Sequence, residues 1–144
     1  MVALALYNKP GRWTNRAIRL RTGSVYSHCE LVVDGMCFSS SGRDRGVRSK
    51  VIDLADGGWD LIEIPWASEE VVLSLFSRTQ GCSYDYVGCI LGAGLGVHLQ
   101  DERRWMCSEW CAAGLGLSEP WRFTPADLGA AMSPWALGPQ KTLG

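Results

Sequence analysis

Histidine is scarce in this sequence: two residues, His28 and His98, in 144. Any chemistry that needs an imidazole base therefore has two positions to run through. The six cysteines (Cys29, Cys37, Cys82, Cys89, Cys107 and Cys111) include no Cys-x-x-Cys pair, the knuckle on which small structural zinc sites are usually built. Gly92-Ala93-Gly94-Leu95-Gly96 has no Lys-Ser/Thr after it and closes an apolar helical pattern rather than following a strand, which excludes a phosphate loop. No stretch reaches the ~20 apolar residues that a membrane helix needs. The longest weakly polar one, Tyr86–Leu99, reads as a buried Gly-rich helix. Asn8, Lys9 and Pro10 interrupt the apolar start Met1–Leu6 before a leader's hydrophobic region could form. Six cysteines without a leader imply free thiols in a reducing compartment, so the expected location is the cytoplasm of the cell that makes the protein.

What is present describes one globular domain spanning 1–144. Hydrophobic residues make up 47% and charged residues 20%, which excludes a disordered chain. The seven Trp and seventeen Gly suit a turn-rich globule with large buried faces. A net charge of −1 conceals nine Lys/Arg against three Asp/Glu in residues 1–50 and the reverse imbalance beyond. With no nucleic-acid module in the basic half, the two halves are expected to pair with each other, and no nucleic-acid partner is inferred.

Val2–Tyr7 reads as a first strand, and Thr14 caps a predicted helix over Asn15–Arg21. Val25–Val33 is β-rich and closes at Asp34-Gly35, a hairpin signal, with Met36–Ser40 returning beside it. Val47–Leu54 and Trp59–Ile64 read as further strands. Ser68 caps a helix through Arg78, an apolar helix surrounds Cys89–Leu95, Cys107–Leu115 forms another, and Thr124-Pro125 opens a short one over Asp127–Met132. Strands precede helices, so the predicted class is α+β with an antiparallel sheet.

Period-two alternation places Tyr26, His28 and Glu30 on one face of their strand and Cys29, Leu31 and Val33 on the other. A carboxylate beside an imidazole orients it and keeps it basic, as a general base requires. Cys107 stands at the predicted start of a helix, where the dipole and free backbone N–H groups favour a thiolate and can hold an oxyanion. Cys111, one turn on, reads as a buried hydrophobe. A rival arrangement, Cys107 and Cys111 with His28 or His98 around a zinc ion, lacks the usual ligand spacing.

Tyr26-Ser27-His28-x-Glu30, then Gly81-x-x-Tyr84-Asp85-Tyr86, then Cys107-Ser108-Glu109 opening a helix, resembles the circularly permuted NlpC-like cysteine peptidases and amidases. These are papain-like enzymes in which the His strand precedes the Cys helix. The resemblance covers roughly residues 14–33 and 81–117. It implies a permuted papain-like domain with Cys107 as nucleophile and His28 as base. Glu30 matches the orienting third residue, with Ser39 or Ser41 of the next strand as alternatives. It also implies amide or ester cleavage through a thioacyl intermediate, on a peptide, amide or acyl substrate and without a cofactor. Relatives such as lecithin retinol acyltransferase move acyl chains with a similar layout. Gly42-x-x-x-Gly46-Val47-Arg48 resembles small phage proteins, which implies a virion as a second location. The alternative function is then a non-catalytic papain-like binding or structural component, with a phage or host protein as partner.

Overall fold

The computed structural model describes residues 1–10, 23–89 and 101–133. Seven strands form one sheet: β1 (Val2–Tyr7), β2 (His28–Val33), β3 (Met36–Ser41), β4 (Gly46–Lys50), β5 (Trp59–Glu63), β6 (Ser83–Tyr84) and β7 (Arg104–Trp105). Their order is β5-β1-β2-β3-β4-β6-β7, antiparallel throughout except for the parallel pair β6–β7. Among the described residues, three complete α-helices follow the main strands: α1 (Glu69–Thr79), α2 (Cys107–Gly114) and α3 (Pro125–Met132). The class is α+β in a single domain, as the strand-then-helix pattern predicts.

Local chemistry accounts for the elements. Asp34 and Gly35 both take positive φ, 49° and 77°, the two-residue hairpin geometry whose twist matches the flanking strands. Ser68 Oγ accepts from Val71 N at α1, and Thr124 Oγ1 accepts from Asp127 N at α3 while the Asp127 carboxylate returns the bond. Val2, Leu4, Leu6, Cys29, Leu31, Val33 and Phe38 turn one sheet face toward the helices, where Val72, Leu75, Trp110, Cys111 and Leu128 complete the core. The other face buries Ala5, Val32 and Cys37 beneath Ile52, Leu54 and Trp59. Glu30 sits opposite Ala5 in the β1–β2 register.

Several boundaries differ from the sequence expectation. The strand expected over Val25–Val33 begins at His28, and the one expected over Val47–Leu54 ends at Lys50. Tyr26 thus lies ahead of the strand, outside the alternation that was to align it with His28. Its ring packs beside Gly129 of α3, and its hydroxyl donates to Asp60 Oδ2 at 2.8 Å. The two-residue strands β6 and β7 carry too little pattern to register as strands in sequence. The predicted helix over Asn15–Arg21, most of the one around Cys89–Leu95, and His98 fall outside the described residues. Pairing between the chain's two halves is present where Lys9 Nζ meets Asp56 Oδ2 at 3.0 Å and the Met1 amine meets Glu69.

β6 and β7 deliver the chain to α2. Gly46 pairs with Ser83, Val47 N donates to Cys82 O at 2.9 Å, and Tyr84 pairs with Trp105 two residues before Cys107. A Cβ at Gly46 would overlap the Cys82 carbonyl, backbone that cannot step aside, and its φ of 154° is one that side chains rarely adopt. Gly46→Ala is expected to lower stability by at least ~2 kcal/mol, read as a fall in urea midpoint with an unchanged slope.

Candidate active site

The site grows from the junction of β2 and α2. Trp110, with no exposed surface, pins α2 from beneath: it packs in the core and its Nε1 donates to Thr79 Oγ1 of α1 at 2.9 Å. Glu109 reaches back to Met106 N at 3.3 Å and closes the helix entrance. Cys107 is thereby fixed as the first residue of α2, 5% exposed, where the helix presents unpaired N–H groups.

His28 opens β2, with 22% of its side chain reaching solvent. Its Nε2 lies 2.6 Å from Glu30 Oε1, and the ring stands edge-on to Trp59 with centroids 6.2 Å apart. Glu30 is wholly buried yet fully committed: Arg48 Nη1 donates to Oε2 at 2.7 Å and Nη2 to Oε1 at 2.6 Å. Arg48 Nε donates in turn to Asp44 Oδ2 at 2.8 Å. Four charged or chargeable groups thus run in line from Asp44 through Arg48 and Glu30 to His28.

The electrostatics follow from this line. Burial alone would raise the Glu30 carboxyl, but the bonds from Arg48 and the charge on His28 hold it below its usual range. Burial likewise disfavours the His28 imidazolium, yet the charges of Cys107 and Glu30 outweigh it and push His28 up to about 10. Cys107 is held well below the usual thiol range, first by a hydrogen bond from Cys29 and then by the His28 charge, both acting against burial. Cys29 moves the opposite way: burial in the core raises its thiol, which stays protonated and donates. Beside Cys107, burial and the nearby charge of Asp85 push Glu109 up to about 7.

The structure brings Cys107, His28 and Glu30 together. Ser39 and Ser41 are engaged elsewhere: Ser39 Oγ donates to Cys29 O at 2.8 Å and lies 4.0 Å from Cys111 Sγ, while Ser41 Oγ accepts from Asp44 N at 3.3 Å. Neither hydrogen-bonds His28, so of the three alternatives for the orienting residue Glu30 alone makes that bond. Tyr84 and Asp85 bracket the same entrance. Asp85 Oδ1 accepts from Gly88 N at 2.8 Å and starts the helical turn at 86–89, and Tyr84 packs its ring against Tyr86.

Two participants escaped sequence reasoning. One is Cys29, expected merely to face the core, which supplies the hydrogen bond to Cys107. The other is Arg48. A strand glutamate with an apolar sequence neighbour on each side needs a cation once buried, and that requirement was the available signal. All six cysteines are free, and among the described residues no group of three or more His, Cys, Asp or Glu side chains is arranged to hold a metal. No helix among the described residues is long and apolar enough to cross a membrane. A scan of protein-family models finds no match to this chain, and no curated protein matches it.

Proposed function

We propose that this protein is a cysteine hydrolase of amide or ester bonds, working in a permuted papain-like domain of NlpC-like type. The observation that carries the reading is a thiol at the first position of a core-packed helix, beside an imidazole whose far nitrogen is tied to a buried, ionised carboxylate. A merely structural cysteine is expected to be buried with a raised pKa, as Cys29 and Cys37 are.

In this reading the Cys107 thiolate attacks the substrate carbonyl carbon, and the oxygen takes the negative charge facing the N–H groups of α2. The His28 imidazolium gives its proton to the departing amine or alcohol as the bond to carbon breaks, leaving a thioester on Cys107. Neutral His28 then takes a proton from water as the water oxygen attacks the thioester; the C–S bond breaks, the carboxylic acid leaves, and the expelled Cys107 thiolate faces the His28 imidazolium again. Glu30 holds the ring through Nε2, which leaves Nδ1 to serve the thiol. Peptides, amides and acyl esters all satisfy this chemistry, and transfer to an acceptor other than water makes it an acyltransferase.

The test is the iodoacetamide rate of each cysteine against pH, resolved by peptide mass spectrometry. An ordinary thiol of pKa ~8.5 is under 1% thiolate at pH 6. Because the Cys107 thiol is held down and His28 up, the ion pair exists between their two ionisations. The expected result is that at pH 6 Cys107 is alkylated well ahead of the part-exposed Cys82 and Cys89. If Cys107 reacts no faster than Cys82, the hydrolase reading fails and the papain-like binding component takes its place.

A further inference from the structure

We propose that Arg48 is a positioning residue for the Cys107–His28 pair: it keeps Glu30 ionised in a fully buried position and thereby fixes which ring nitrogen of His28 carries the hydrogen, leaving the other as the base. The inference rests on the reading of Cys107 as a nucleophile and adds the residue that sets its protonation. Glu30 has no exposed surface, and a lone carboxylate there would take up a proton rather than remain charged. Arg48 prevents this with a planar fork, one N–H to each carboxylate oxygen at 2.7 and 2.6 Å. The third guanidinium edge is anchored from outside by Asp44 at 2.8 Å, and Asp44 in turn lies 3.6 Å from Lys50 Nζ. The backbone supports the placement: Arg48 pairs with Ser39 across β3–β4, and β3 is the neighbour of β2.

The consequence is a tautomer. An ionised Glu30 only accepts, so the nitrogen it touches, Nε2, must carry hydrogen and Nδ1 is the one free to exchange a proton with Cys107. Remove Arg48 and burial prevails. Glu30 becomes a carboxylic acid that donates to Nε2, and the neutral ring then carries its hydrogen on Nδ1, where it cannot act as the base. Of the groups around the pair, Glu109 of α2, pushed up to about 7, titrates between pH 5 and 8, but does so in wild type and Arg48 variants alike, so their comparison isolates Arg48. Cys29 on β2, Cys37 on β3, Tyr84 on β6 and Cys89 are all raised by burial and stay neutral between pH 5 and 8, and the Trp59 ring, steeply inclined to that of His28, carries no charge. Asp44, held down by Arg48, stays ionised across the same range.

The experiment compares wild type, Arg48→Gln and Arg48→Lys, following the pH profile of Cys107 alkylation and the nitrogen-15 spectrum of labelled histidine, which reports the tautomer directly. In Arg48→Gln the rate at pH 6 should fall ~10-fold or more, with the profile moving toward an ordinary thiol and His28 carrying its neutral hydrogen on Nδ1. Arg48→Lys restores a charge but not the fork, and should fall between the two. A folded Arg48→Gln that keeps the wild-type profile and tautomer overturns the assignment. If that variant does not fold, Arg48→Lys decides: an intermediate profile supports the proposal, an unmoved one overturns it. Slow Cys107 in the wild type would overturn the nucleophile reading and this assignment together, whereas fast wild type with unmoved variants overturns the Arg48 role alone.

Discussion

Replacing His28 with alanine should lower Cys107 reactivity at pH 6 by ~10–100-fold, because the hydrogen bond from Cys29 is then left alone against burial, without the counter-ion and the second hydrogen bond that His28 supplies. The loss should shrink as the pH rises into the range where a thiol without a counter-ion begins to ionise. The intrinsic nucleophilicity of a higher-pKa thiolate partly offsets the fall, so the alkylation change is a lower bound on the catalytic one. In the proposed hydrolase reading, His28→Ala should cost ~10³-fold or more in kcat/KM, since the proton for the leaving group goes missing too. Cys107→Ala should cost at least as much, and the double variant little more than either alone. A double variant whose loss is the product of the single losses would mean that the two residues do not work as a unit.

The second large effect belongs to Trp110. Its side chain is fully buried between sheet and helices, and its indole N–H satisfies the Thr79 hydroxyl, which itself donates to Leu75 O at 2.7 Å. Trp110→Ala should cost ~3–5 kcal/mol from lost burial and an incompletely collapsed cavity. Against the ~5–15 kcal/mol that holds a domain of this kind, that is a large share. Urea unfolding followed by circular dichroism measures it. Trp110→Phe should recover roughly half, keeping the ring contacts but not the bond to Thr79. A loss under ~1 kcal/mol for Trp110→Ala would mean that α2 is held by its other contacts, and that the placement of Cys107 does not depend on this indole.

Much of this was legible in the sequence. The Asp34-Gly35 hairpin, the Ser68 and Thr124 caps and the Cys107 helix start are set by local rules, and each stands where those rules put it. His28 and Glu30 share a strand, so their meeting needed only the period of two. The failures share a cause, dependence on residues far away in the chain. Tyr26 left the alternation because the strand begins only where β1 offers a partner, at the Tyr7–His28 pair. β6 and β7 are two residues each and exist because β4 and the approach to α2 supply their hydrogen bonds. Arg48 joins Glu30 across an intervening strand, a neighbour that no local window contains.

The order of these pieces along the chain also shapes how the protein is made. His28, Glu30, Asp44 and Arg48 all lie within β2, β3, β4 and the turn between the last two, which the ribosome releases well before α2. β1, an inner strand of the finished sheet, keeps one edge open until β5 arrives. The nascent chain therefore holds the residues of its polar line first and receives Cys107 late, so a growing polypeptide carries His28 without Cys107. In the proposed hydrolase reading, chains cut short before residue 107 lack the nucleophile by construction rather than by inhibition.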